Sequence, residues 1–224
     1  MRSPTRSQRR GFTIIELMVT VGIIILLIGM LVPVLGGIRA SALSVQCLNN
    51  LRQLGSAIGS HRLSHKQLLP MTDFLPLVTE EGPEGGLPEL LRSTLPADDP
   101  SWICPADFDP ESLSTGTSYY YVPGLLRYTP QIQIPVAQAL MPLILDGTLS
   151  PSQIERQRLA LESRLVTNFY EAARDPRLFA VMSDTQDRHP IGDLNPRNGL
   201  FIDGGVGPLK DNEESDGTPF ETDP

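Results

Sequence analysis

The chain has 224 residues, 40% of them apolar, 21 prolines and a formal charge of −8. That composition fits one apolar segment beside one modest, loop-rich globular domain, with no internal repeat of the kind that marks solenoids. The acidic balance, with no basic cluster beyond the first ten residues, argues against nucleic acid, whose phosphates demand basic patches.

The first predicted element is a leader. Arg2, Arg6, Arg9 and Arg10 precede Gly11, and an apolar run follows that holds a single charge, Glu16. A secretory signal peptide is cut after its apolar region, beside small residues. Here the cleavage candidate, Gly11-Phe12, stands before that region, so the apolar segment would stay on the mature protein. Residues 17–35 are 19 uncharged positions rich in Ile, Leu, Val and Met. A helix needs about 20 residues to cross roughly 30 Å of hydrocarbon, so a span is predicted. The arginines predict a cytoplasmic N-terminus and an outward-facing remainder. Glu16 needs a reason, because an acidic side chain near the bilayer centre costs roughly 2.5–3.5 kcal/mol. It either snorkels to the interface or meets a partner.

Gly11, Phe12, Thr13, Glu16, Leu17 and the apolar run resemble, residue by residue, the type IV prepilin leader of pilins and type II secretion pseudopilins. The resemblance implies cleavage after Gly11 by a prepilin peptidase and N-methylation of the new terminus, Phe12. It also implies that Glu16 neutralises the α-amine of a neighbouring subunit and so selects the axial register of a filament. A buried amine and a buried carboxylate are each destabilised alone, and pairing offsets much of that. Loss of the four leader arginines would take the charge from −8 to −12.

Pro33 and Gly36-Gly37 invite a kink rather than a stop. Beyond them Ile38, Ala42, Val45, Leu48, Leu51, Leu54 and Ile58 recur at three- and four-residue steps, the period of an amphipathic helix. A helix over residues 12–65 would be on the order of 80 Å long, and pilins and pseudopilins are built on such a spine. The stretch Cys47-Leu48-Asn49-Asn50-Leu51-Arg52-Gln53-Leu54-Gly55 resembles the one that follows the anchor in families of prepilin-type cleavage/methylation proteins related to the major pseudopilin. Trp102-Ile103-Cys104-Pro105-Ala106-Asp107 and Ser118-Tyr119-Tyr120-Tyr121 resemble their Cys-Pro-x-Asp and Ser-Tyr elements. Residues 198–206 resemble their terminal strand–turn–strand, with Gly205 where a histidine often stands.

No resemblance covers residues 124–178, which read as an insertion with its own helix near residues 150–174. Ser150-Pro151-Ser152-Gln153 has the form of a capping box with proline at the first helical position. Ile154, Leu161, Leu165 and Phe169 make its apolar stripe, and Arg156, Arg158, Glu162 and Arg164 its outer positions. Strands are predicted at residues 178–182 and 200–202, the latter joined through Asp203-Gly204 to residues 206–209. Residues 211–224 carry six acids and no base, an expected disordered tail.

Cys47 and Cys104 are the only cysteines. Outside the cytoplasm they would form either a disulfide or two buried thiols. His61 and His65 share a helical face at a spacing some zinc sites use, and polar surface positions are the simpler reading. Asp184, Asp187 and Asp193, in the loop that also holds His189, form a candidate calcium set, since calcium takes six to eight oxygens. Major pseudopilins hold calcium in a C-terminal loop, although the spacing here is not that of an EF-hand. No cofactor is required by any motif, and no Gly-x-Ser-x-Gly elbow, phosphate-binding glycine loop or Cys-x-x-Cys pair is present, so an enzyme is not expected.

The expected fold is α+β, a long N-terminal membrane-spanning helix packed on a small antiparallel sheet with a helical insertion. The expected organisation is a cytoplasmic leader (1–11), a transmembrane and assembly helix (12–38), its amphipathic continuation (39–65), a periplasmic domain (66–210) and the tail. The expected role is a structural pilin-like subunit in the inner membrane. Its partners would be prepilin peptidase, identical or related subunits and an inner-membrane assembly platform. The alternative is a single-pass anchored periplasmic domain that binds a ligand or metal.

Overall fold

The computed structural model describes residues 12–147, 149–189 and 197–209, and for residues 31–37 and 40 the backbone alone. The expected leader, the acidic tail and Asp193 lie outside these residues. The chain divides into two units, residues 1–40 and 41–224.

In the first unit the helix α1 (Ile14–Ser64) begins. It passes Pro33 and Gly36-Gly37 without ending. All side chains of residues 12–30 are exposed. Among the described residues no helix is long and apolar enough to cross a membrane; the predicted span runs on into residues 31–37, whose side chains are not described.

The second unit is α+β. Along α1, the residues Cys47, Leu51, Leu54, Ala57 and Ile58 are buried. This corrects the expected stripe: Ile38 and Val45 are exposed, because the core reaches the helix only from Cys47 onward. Full burial of a Leu or Ile contributes roughly 1.5–3 kcal/mol, so Leu51, Leu54 and Ile58 make this half of the helix part of the core. The helix ends where Lys66 and Gln67 adopt positive φ, with the Gln67 N–H donating to the Arg62 carbonyl at 2.7 Å.

A small hairpin, β1 (Leu77–Thr79) and β2 (Gly82–Glu84), is followed by three one-turn helices, α2 (Gly86–Leu90), α3 (Pro110–Ser114) and α4 (Val122–Leu126). The main sheet has the order β3 (Tyr119–Tyr121), β4 (Ala180–Asp184), β5 (Asn198–Phe201), β6 (Val206–Pro208), antiparallel throughout. Its registers pair Tyr119 with Asp184, Met182 with Leu200 and Gly199 with Gly207. Every residue of β4 and β5 is buried. The predicted turn joins β5 to β6, with Gly204 at φ +81.

Between β3 and β4, after the one-turn α4, stand two long helices, α5 (Pro130–Asp146) and α6 (Pro151–Ala172), where one was expected. The unforeseen helix carries Pro135 and Pro142 in its interior, and proline there removes a hydrogen bond and crowds the carbonyl four residues back. Both prolines, and the Gln131 and Gln138 whose carbonyls are released, lie on the exposed side. Water can take those carbonyls, so the helix survives. On α6 the Ser150 N–H donates to Gln153 Oε1 at 2.8 Å, as the capping-box pattern predicts.

Glu162, expected outside, is fully buried, and Ser163, Val166, Thr167 and Tyr170 are buried beside it. The hydroxyls enter the core because they serve one backbone unit: Leu69 N–H donates to Thr167 Oγ1 at 2.8 Å, and Ser163 Oγ donates to the Leu69 carbonyl at 2.7 Å. Burial holds the Tyr170 phenol above its ordinary range, and it donates to the Ala180 carbonyl at 2.7 Å.

The α4 turn sits directly on the segment holding Phe74. A Cβ on Gly124 would stand 2.5 Å from Phe74 N and 2.7 Å from the Asp73 carbonyl carbon. These are backbone atoms that cannot rotate away. Gly124→Ala should therefore destabilise the protein by about 1–3 kcal/mol, read as a lowered midpoint in chemical denaturation. An unchanged midpoint would show that this loop moves aside freely.

Candidate functional site

At the N-terminus the backbone of Phe12 and Thr13 is not helical, and α1 starts at Ile14. Thr13 N–H and Thr13 Oγ1 both donate to Glu16 Oε2 at 2.9 Å, and Glu16 N–H donates back to Thr13 Oγ1 at 3.3 Å. This is a capping box, with Thr13 as N-cap and Glu16 three residues on. The carboxylate also faces the positive end of the helix dipole. The role of Thr13 was legible as a Thr-x-x-Glu string ahead of an apolar run, although the sequence reading left Glu16 either to snorkel to the interface or to meet a partner. The cap holds Glu16 within one turn of the Phe12 nitrogen. Gly11 itself lies outside the described residues. Phe12 is 81% exposed, and Ile14, Ile15, Leu17, Met18 and Ile25 are exposed with it; such an apolar surface marks a membrane or protein contact.

The second constellation lies in the globular unit. Cys47 on α1 and Cys104 are joined in a disulfide with Cα atoms 5.1 Å apart. Cys104 N–H donates to Ser118 Oγ at 3.0 Å, and Ser118 N–H to the Trp102 carbonyl at 2.9 Å. The two short sequence patches around Cys104 and Ser118 therefore meet. Asp107 of the first patch pairs with Arg188 at 3.0 Å, both nearly fully buried. His189, next in the chain, is 1% exposed. Its Nε2 lies 3.5 Å from Cys104 Sγ and 3.3 Å from Asp184 Oδ2. Asn198 N–H donates to the same Asp184 oxygen at 2.7 Å. Burial, then the Asp184 carboxylate, hold the Tyr119 phenol above its ordinary range.

Residues 6–32 match the prokaryotic N-terminal methylation motif. The chain thus carries a prepilin-type motif, which supports a type IV pilin-like or pseudopilin protein and implies processing by a prepilin peptidase. The match encloses Gly11, Phe12, Thr13 and Glu16, so the capped helix start and the processing signal are the same residues. No curated protein and no solved structure matches the chain.

Apart from the prepilin-type motif and the Cys47–Cys104 pair, the remaining expected site residues separate. Asp184 is buried at the end of β4 and turned to His189 and Asn198, while Asp187 is exposed and pairs with Arg197 at 2.8 Å. The two carboxylates thus face different partners, and Asp193 is outside the described residues. His61 and His65 stack with ring centroids 3.9 Å apart; burial, then the neighbouring His65, lower the His61 pKa from its ordinary 6.5. Gly205, where the resemblance expects a histidine, donates its N–H to Asp203 Oδ1 at 2.8 Å. The residue that sequence reading undervalued is His189. Its loop is acidic in sequence, and nothing local signals that its imidazole enters the core.

Proposed function

We propose that the protein is a structural pilin-like subunit, cleaved between Gly11 and Phe12 by prepilin peptidase, N-methylated at Phe12 and assembled through its N-terminal helix into a pseudopilus or type IV pilus-like filament. Before assembly the apolar helix anchors it in the inner membrane, N-terminus inside and globular unit in the periplasm. Identical or related subunits and an inner-membrane assembly platform are its partners, and secretion or a surface function is its purpose. The observation that carries this reading is the methylation motif over residues 6–32. The exposed apolar side chains of residues 12–30 supply the surface that lipid, and then neighbouring helices, would cover. Glu16, held at the helix start by Thr13, meets the amine of the next subunit.

Intact mass and N-terminal peptide analysis of the protein from its native membrane tests the proposal. A mature chain beginning at Phe12 is expected. A chain still bearing Arg9-Arg10-Gly11 in a host with active peptidase would overturn it. In the same host, Glu16→Ala should leave processing and membrane retention intact and abolish assembly into sheared filament fractions. An anchored binding domain would show no such dependence on Glu16.

A further inference from the structure

The surroundings of the Cys47–Cys104 bond are built beyond what a disulfide needs. A structural disulfide asks for apolar packing. This one has an imidazole against it and a carboxylate against that imidazole, both essentially inaccessible: His189 is 1% and Asp184 0% exposed. Among the described residues, several polar atoms in this pocket have no hydrogen-bond partner, namely His189 Nδ1, Asp184 Oδ1 and Asn198 Nδ2. An orphaned buried polar group is expensive and calls for an explanation. Among the described residues, Cys47, Cys104 and His189 are the one group of three metal-ligating side chains whose ligand atoms converge, all within 4.8 Å of one another.

The spacing can be compared with a metal's demands. Around tetrahedral zinc, with sulfur at about 2.3 Å and nitrogen or oxygen at about 2.0 Å, geometry puts S and N about 3.5 Å apart and N and O about 3.3 Å apart. The observed Cys104 Sγ to His189 Nε2 distance is 3.5 Å, and His189 Nε2 to Asp184 Oδ2 is 3.3 Å. The bond between the two sulfurs must open, and Asp184, which lies against His189 but outside the group whose ligand atoms all fall within 4.8 Å, must close on the sulfurs to complete the tetrahedron. We propose that this cluster is a two-state site: a disulfide when oxidised, and a zinc site of Cys47, Cys104, His189 and Asp184 when the cysteines are reduced.

The exchange balances. A thiol reductant delivers two electrons and two protons to the disulfide and is itself converted to its disulfide, leaving two protein thiols. Zinc then displaces both thiol protons and binds two thiolates, the neutral imidazole and the carboxylate. The bound form thereby holds α1 to the Cys104 loop before oxidation does so covalently, which suits a chain that reaches an oxidising compartment only after membrane insertion. This inference does not depend on filament assembly.

The test uses the full chain in detergent, reduced anaerobically with a phosphine that is then removed, and titrated with zinc or cobalt alone. The reduced protein should bind one zinc per chain at least about 100-fold more tightly than the disulfide form, and cobalt should show a sulfur-to-metal charge-transfer band. His189→Ala should weaken binding by at least about 10-fold, since even outer-shell changes cost 10–100-fold. The folding control is the disulfide form of that variant, where no metal is needed. X-ray absorption of the zinc-loaded wild type, which needs no variant, should show two sulfur and two lighter ligands. Equal zinc uptake by the reduced and disulfide forms, or a shell without sulfur, would overturn the proposal, as would unweakened binding by a folded His189→Ala protein.

Discussion

Opening the Cys47–Cys104 bond in metal-free buffer should lower the stability of the globular unit by about 4 kcal/mol. The bond spans 57 residues of sequence, and in the chain-entropy picture a loop of that length confines the unfolded chain by about that amount. The loss should be expressed locally as well. Cys104 follows Trp102, the single tryptophan, which is 1% exposed and donates its indole N–H to the Pro96 carbonyl at 2.8 Å. Chemical denaturation of the detergent-solubilised chain, followed by Trp102 fluorescence with and without reductant, reads both effects. Cys47→Ser/Cys104→Ser should reproduce the reduced protein. A shift below about 1 kcal/mol would mean that the unfolded chain is already restrained without the bond.

The second large effect is expected at Glu162. Its carboxylate is fully buried, with Oε2 at 2.9 Å from Arg127 Nη2, and Gln133 Nε2 donates to Oε1 at 3.2 Å. Arg127 is itself nearly buried and reaches outward to Asp73 at 3.3 Å, where the Tyr128 hydroxyl also donates at 2.6 Å. This network fastens α5 and α6 to the loop before β1. Truncating one member of a buried ion pair leaves the other charge in low dielectric, which costs about 3–5 kcal/mol. Glu162→Ala should therefore destabilise by that amount. Replacing both partners by apolar residues, Arg127→Met with Glu162→Leu, should recover most of the loss, because neither charge then needs solvation. The double-mutant cycle measures the coupling. If Glu162→Ala alone is mild, Asp73 has taken over the guanidinium.

Comparison of particular residues shows why some features were legible and others not. The processing signal, the α6 cap at Ser150-Pro151-Ser152-Gln153 and the Asp203-Gly204 turn are strings of adjacent residues whose chemistry is local, and sequence carries them whole. The strand predicted at residues 178–182 is found at Ala180–Asp184. The shift of two residues reflects pairing with Tyr119–Tyr121, which fixes the register from outside the strand. Helix α5 was hidden by Pro135 and Pro142, because propensity rules do not know which side of a helix faces water. Glu162 read as an outer residue because an acid on a helix usually is one; its partner Arg127 belongs to a different element.

By itself, the sequence carried the prepilin-type signal around Gly11-Phe12, an apolar helix behind it and an acid at Glu16; the cap that Thr13 makes with Glu16 was in the string and went unread. These rest on contacts between residues a few positions apart, where spacing alone sets geometry. Only the tertiary structure decided that Cys47 meets Cys104, that His189, with Asp184 behind it, packs on that pair, and that Glu162 is a core residue. His189 lies 85 positions from Cys104. Contacts at that separation arise when the sheet and helices pack, and no local pattern encodes them.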